Sequence, residues 1–105
     1  MLGAFSFSFG FNSDASAENT FACCGGTASG IGAVSFGGTA LGATSFTYGS
    51  GYASYPNCFA GGYYCNATNF YSMAVCRETR ASGIASFAVG YQTEASGDNS
   101  FASGE

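Results

Sequence analysis

Large apolar residues recur along this chain every 12 to 14 residues, each followed at once by a small one. Phe7, Phe21, Val34, Phe46, Phe59, Met73, Phe87 and Phe101 form one such column. Ser8, Ala22, Ser35, Thr47, Ala60, Ala74, Ala88 and Ala102 form the next. The repeat is plainest at the end of the chain, where ASGIASFAVGYQTE (81–94) is followed by ASGDNSFASGE (95–105). Carried backwards, this register divides the sequence into units 1–14, 15–27, 28–39, 40–52, 53–66, 67–80, 81–94 and a partial 95–105. Three units are one or two residues short, and each deletion falls after unit position 10, where turn residues gather.

The other columns agree. Position 1 is Ala in seven units, with Met1 the exception, and position 10 is Gly in six and Cys (Cys24, Cys76) in two. The eight charged residues fall only at positions 4, 11, 12 and 14. A charge has no place in a dry interior without a partner, so positions 6 to 10 are expected to be the buried strand. Apolar residues at positions 7 and 9 have the strand period of two, and a Gly in nearly every half-unit argues against a helix. Each unit therefore predicts two short strands, and a periodic chain of such units predicts an all-β, parallel β-solenoid (β-roll) of 12–14-residue coils in a single domain, 1–105. With coils about 4.8 Å apart, eight make a column roughly 38 Å tall. Side chains at 7 and 9 point one way and those at 6, 8 and 10 the other. The Ser/Ala/Gly set suits close approach of two backbones inside a thin roll. The Phe ladder then needs a second surface, which neighbouring subunits would supply.

Composition narrows the functional classes. Two Arg and no Lys, with a net charge of −4, make nucleic acid an unfit partner. No apolar run approaches the length of a membrane helix, and MLGAFSFSFGF lacks the basic start of a secretory signal. No membrane insertion is expected of this segment. Without His there is no Ser-His or Cys-His pair, and the irregular spacing of Cys23, Cys24, Cys58, Cys65 and Cys76 does not describe a zinc site. Their odd number leaves at least one thiol free or paired between chains, and the pairing cannot be read from the sequence.

The stretch ASGIASFAVGYQTEASGDNSFASG (81–104) resembles the head repeats of trimeric autotransporter adhesins, the YadA-like head family, which also occur in trimeric phage tail fibres. The shared pattern is A-x-G-x-x-S-x-A-x-G-x-x-x-x, met most closely at 81–105 and more loosely from 1 to 80. The resemblance implies a left-handed parallel roll, three chains around one axis and a role in attachment, outside the cell on a virion fibre or a bacterial surface. The chain departs from the family in its five cysteines and in the aromatics Phe9, Phe36 and Tyr48 at position 9. Cysteines of this kind fit a fibre assembled in a reducing cytoplasm better than a passenger crossing the periplasm.

Other motifs dissolve into the repeat. GTASGIGAV (26–34) looks like a nucleotide-binding Gly-rich turn, but Ala28 and Gly30 are column residues and no helix follows. The carboxylate pairs Asp14/Glu18 and Glu94/Asp98 straddle turns and make no glycosidase cleft, so no enzyme activity and no cofactor or metal is expected. Thr is too scattered for an ice-binding face. A specific surface is expected in coils five to seven, where Tyr63, Arg77 and Tyr91 share position 11 and should stack, Arg between two rings. Tyr64, Phe70, Tyr71 and Arg80 lie near them in the sequence, also at positions outside the strand. The same residues could instead cover the roll or touch the next subunit. The expected function is a homotrimeric, non-enzymatic fibre or adhesin head, a rigid spacer or an attachment module for a cell-surface glycan or protein. The alternative is a filament subunit stacking end to end.

Overall fold

The computed structural model describes residues 6–10 and 12–104. Met1 in column 1 and Glu105 in column 11 lie outside the described residues. Every described element is a strand. In chain order they are β1 (Phe7–Phe9), β2 (Asp14–Ala15), β3 (Phe21–Cys23), β4 (Thr27–Ala28), β5 (Val34–Phe36), β6 (Thr39–Ala40) and β7 (Phe46–Gly49). There follow β8 (Tyr52–Ala53), β9 (Phe59–Tyr63), β10 (Asn66–Ala67), β11 (Met73–Arg77), β12 (Arg80–Ala81), β13 (Phe87–Tyr91), β14 (Glu94–Ala95) and β15 (Phe101–Gly104). Odd and even strands alternate between two parallel sheets, ordered β1-β3-β5-β7-β9-β11-β13-β15 and β14-β12-β10-β8-β6-β4-β2. This is a β-solenoid with two strands per coil, and its extents are 38 × 22 × 10 Å.

The columns read from the sequence are the rungs of the ladder. Phe7 pairs with Phe21, Phe21 with Val34, Val34 with Phe46, and Phe87 with Phe101. Each coil bonds to the next in a fixed pattern: Phe46 N donates to Cys58 O (3.0 Å), Phe59 N to Ser72 O (3.0 Å) and Met73 N to Ser86 O (2.9 Å). The second strand centres on positions 14 and 1, and in coils five to seven the first runs on through position 10 to position 11.

The expectation that positions 6 to 10 are all buried is corrected. Positions 6 and 8 are inside, whereas positions 7 and 9 lie outside the roll, and position 10 takes a positive φ in every coil. The cause is the pleat acting on a roll only 10 Å deep: one set of side chains fills it, and the alternate set must leave it. What remains inside is small. Ala15, Ala22, Ala28, Ala40, Ala53, Ala67, Ala81 and Ala95 line one wall or the other, and the largest fully buried side chains are Thr47, Thr79 and Cys65. Polar atoms inside are bonded: Ser45, Ser72 and Ser86 donate from Oγ to the carbonyls of Gly42, Asn69 and Gly83 at 2.6 to 2.7 Å. That local bond, from position 6 to position 3, explains the column of small hydroxyl residues.

Interior volume is balanced between walls. Where position 13 is Gly26 or Gly38, position 8 of the next coil grows to Ser35 or Thr47; where it is Cys65 or Thr79, position 8 is Ala74 or Ala88. Ser35 Oγ donates to Gly38 O at 2.6 Å, and Thr47 Oγ1 to Ser35 Oγ at 3.0 Å. At Gly51 both partners are small and the walls close in, so that a Cβ there would sit 2.2 Å from Ala60 O.

Two substitutions test this packing. Gly51→Ala should cost about 2 kcal/mol or more, because its methyl meets backbone that cannot swing away. Cys76→Gly should stabilise by up to about 1 kcal/mol, because Cys76 holds a φ of 94° that an L-residue adopts only under strain. Both are read from denaturant unfolding midpoints.

Candidate functional site

In the three consecutive full-length coils five to seven, the position-11 residues align. Arg77 pairs in register with Tyr63 on one side and Tyr91 on the other. Its guanidinium carbon lies 5.6 Å from the Tyr63 ring centre and 5.1 Å from that of Tyr91. Both distances fall within cation–π range, so the expected Arg sandwich is present. Tyr64 lies against Tyr63, ring centres 4.2 Å apart. Hydrogen bonding with Tyr64, then its charge and burial, raises the Tyr63 pKa from the ordinary 10.0 despite the opposing pull of Arg77. Behind them Gln92 Nε2 donates to Glu78 Oε1 at 2.8 Å, bridging adjacent coils.

The seven expected surface residues do not form one patch. Tyr63, Tyr64, Arg77 and Tyr91 share the corner between the long and short strands. Phe70 and Tyr71 sit at the other turn of their coil, where Phe70 meets Tyr55 edge-on at 5.1 Å and Tyr71 takes the left-handed φ of that turn. Arg80 is on the short sheet, in register between Asn66 and Glu94. Closeness in sequence misled here because a 14-residue coil places residues seven apart on opposite sides of the roll.

A recess of about 360 Å³ lies beside the aromatic corner, lined by Gly37, Gly38, Thr39, Ser50, Gly51, Tyr52, Tyr64 and Asn66. Its origin is the register. Coil three lacks positions 11 and 12 and coil four lacks position 11, so their corners are cut back; coil five is complete, and Tyr64 stands as a ledge above the step. Thr39, Tyr52 and Asn66 are consecutive rungs of the short sheet. The sequence displayed the deletions, and a deleted corner between full coils was the signal for this recess.

The outer face of the long sheet carries a continuous aromatic strip. Phe7 stacks on Phe21 (5.3 Å), Phe21 meets Phe36 (5.3 Å), Phe36 meets Phe46 (5.8 Å), and Phe46 stacks on Phe59 (4.9 Å). The path crosses to Phe36 because Val34 is too short to continue the ladder. Tyr48 lies over Gly61, whose missing side chain makes room for the ring. Along the strip Phe7 is 55% and Phe36 39% exposed, whereas Phe21, Phe46 and Phe59 are half-buried.

All five cysteines are free thiols. Cys58 and Cys65 are buried and donate to backbone carbonyls, Cys65 to Cys76 O at 3.2 Å. Cys23 is covered in its column between Phe9 and Phe36; burial, then the Cys24 thiol 3.2 Å away, pushes its pKa up. No cluster of three or more metal-ligating side chains exists among the described residues. No known protein family, curated protein or solved structure matches this chain.

The Tyr63 environment gives a titration test. In the folded chain Tyr63 should ionise above 10.0, so folding favours its neutral form and the associated stability is lost as pH rises through that range. Tyr64→Phe removes the hydrogen-bond partner and should lower the Tyr63 transition, read from tyrosinate ultraviolet absorbance against a Tyr63→Phe blank.

Proposed function

We propose that this chain is a non-enzymatic fibre or attachment-head domain, working as a homotrimer in which each roll covers the aromatic strip of its neighbours. The observation that carries this reading is the strip itself. Rings from Phe7 to Phe59 run in a row outside the roll, and their outer faces remain uncovered in a single chain. Burying them at a chain–chain interface would recover roughly 25 cal/mol for each Å² of apolar surface covered. The thin interior points the same way, since its small side chains bury little apolar area within one chain.

The resemblance to YadA-like head repeats supplies the number three, the left-handed winding, and the extracellular setting on a phage fibre or bacterial surface. A trimer would present three copies of the Tyr63–Arg77–Tyr91 corner, so weak contacts with a surface glycan or protein would add into avidity. Attachment by display of rigid corners requires no catalytic group, cofactor or metal.

Sedimentation equilibrium should give three times the 10.6 kDa chain mass. The double substitution Phe46→Ser with Phe59→Ser should weaken association by about tenfold or more per ring while leaving the β spectrum intact, because neither side chain fills the roll. A monomer at all concentrations ends this reading, and long threads by electron microscopy replace it with an end-to-end filament.

A further inference from the structure

We infer that the recess at the cut-back corners of coils three to five is a binding site for one uncharged pyranose unit, a terminal sugar of a glycan. The argument starts from its lining. Tyr52 and Tyr64 offer two exposed aromatic rings, and Thr39, Ser50 and Asn66 offer two hydroxyls and a carboxamide. Among the described residues these three polar side chains have no hydrogen-bond partner within the chain, so all of them are free for a ligand. Hydroxyl and carboxamide groups both donate and accept, as sugar hydroxyls do, while the C–H face of a pyranose matches an aromatic ring.

Charge selects within the sugars. None of the eight lining residues is ionisable at neutral pH. The nearest cation on the short sheet, Arg80, is one rung beyond Asn66 and has Glu94 on its other side. With a net charge of −4 over the whole chain, an acidic sugar meets repulsion at range and no fixed cation in the recess. A neutral sugar loses nothing by comparison. The volume of about 360 Å³ is near the low end of small-molecule sites, which suits one ring.

The floor is also fixed in advance. Tyr52 N donates to Cys65 O at 2.8 Å and Asn66 N to Thr79 O at 2.9 Å, so the rungs bearing these side chains are held by the solenoid ladder. Tyr64 is held from behind by Tyr63, which is itself stacked on Arg77. The Arg sandwich thereby acts as a buttress for the sugar-facing ring.

This inference rests on the attachment reading only for the source of the glycan. The test is saturation-transfer NMR of the full chain with methyl glycosides of neutral hexoses and N-acetylhexosamines, and with N-acetylneuraminic acid as the acidic probe. Transfer is expected to at least one neutral glycoside and not to the acidic one. Tyr64→Gly suits the φ of 54° at that position, and Tyr52→Thr copies Thr39 in the same column, so both should fold. Each should weaken binding by about tenfold, and the pair should abolish the signal. The assignment is overturned if no neutral glycoside shows transfer, if the acidic probe is preferred, or if the folded double variant binds as well as the parent. A trimer that adheres to cells without binding sugars sinks the recess alone. Sugar binding that vanishes in the double variant, by a chain that neither trimerises nor adheres, sinks the attachment reading alone.

Discussion

Two backbone walls separated by little more than a methyl group set the terms for everything else in this molecule. The roll is 10 Å deep, and the side chains inside it are Ala, Ser, Thr, Cys and Gly. An interior so thin has little apolar area to bury, so hydrophobic burial inside one chain is a minor source of stability. The ladder of backbone hydrogen bonds between coils carries the structure, with side-chain hydroxyls such as Ser72 and Ser86 closing the local carbonyls. Every large aromatic residue among the described ones is displaced outward by the same limit. The aromatic content of the chain is thus a property of its surfaces, and the strip from Phe7 to Phe59 follows from the narrowness of the roll.

The turns are governed by backbone conformation. Position 5 has positive φ in every described coil from Asn19 to Asn99, and position 10 does so from Gly10 to Gly104. Glycine in column 10 is a response to that bend, and Cys24 and Cys76 bear it at a conformational cost. Between these fixed bends, the corner after position 10 is the part of the coil free to vary in length. Where it is shortened, the walls approach at Gly51 and the outer edge steps inward; where it is complete, Tyr63, Arg77 and Tyr91 stack along it. The recess and the cation–π ladder are two consequences of one variation.

Surface chemistry concentrates at that corner. The outer face of the long sheet is apolar, whereas the corner combines rings, hydroxyls and a carboxamide. Tyr63 is moved upward in ionisation mainly by a neighbour and Cys23 mainly by burial, and neither lines the recess. The recess beside that corner is lined by no charged side chain.

Periodicity alone determined the coil boundaries, the parallel register and the stacking of Arg77 between two tyrosines. All three follow from in-register pairing, which a repeat writes directly into the order of residues. Which columns would be buried was only half legible: a lack of charge marks positions 6 to 10 alike, but depth separates Ser86 and Ala88 inside from Phe87 outside. Beyond the Arg77 stack, the grouping of the surface residues was not legible. Phe70 and Tyr71 part from Arg77 because the coil turns between them, and Tyr52 joins Tyr64 because two corners are short. Distances across coils depend on how far each corner reaches, and that is decided only when the walls pack.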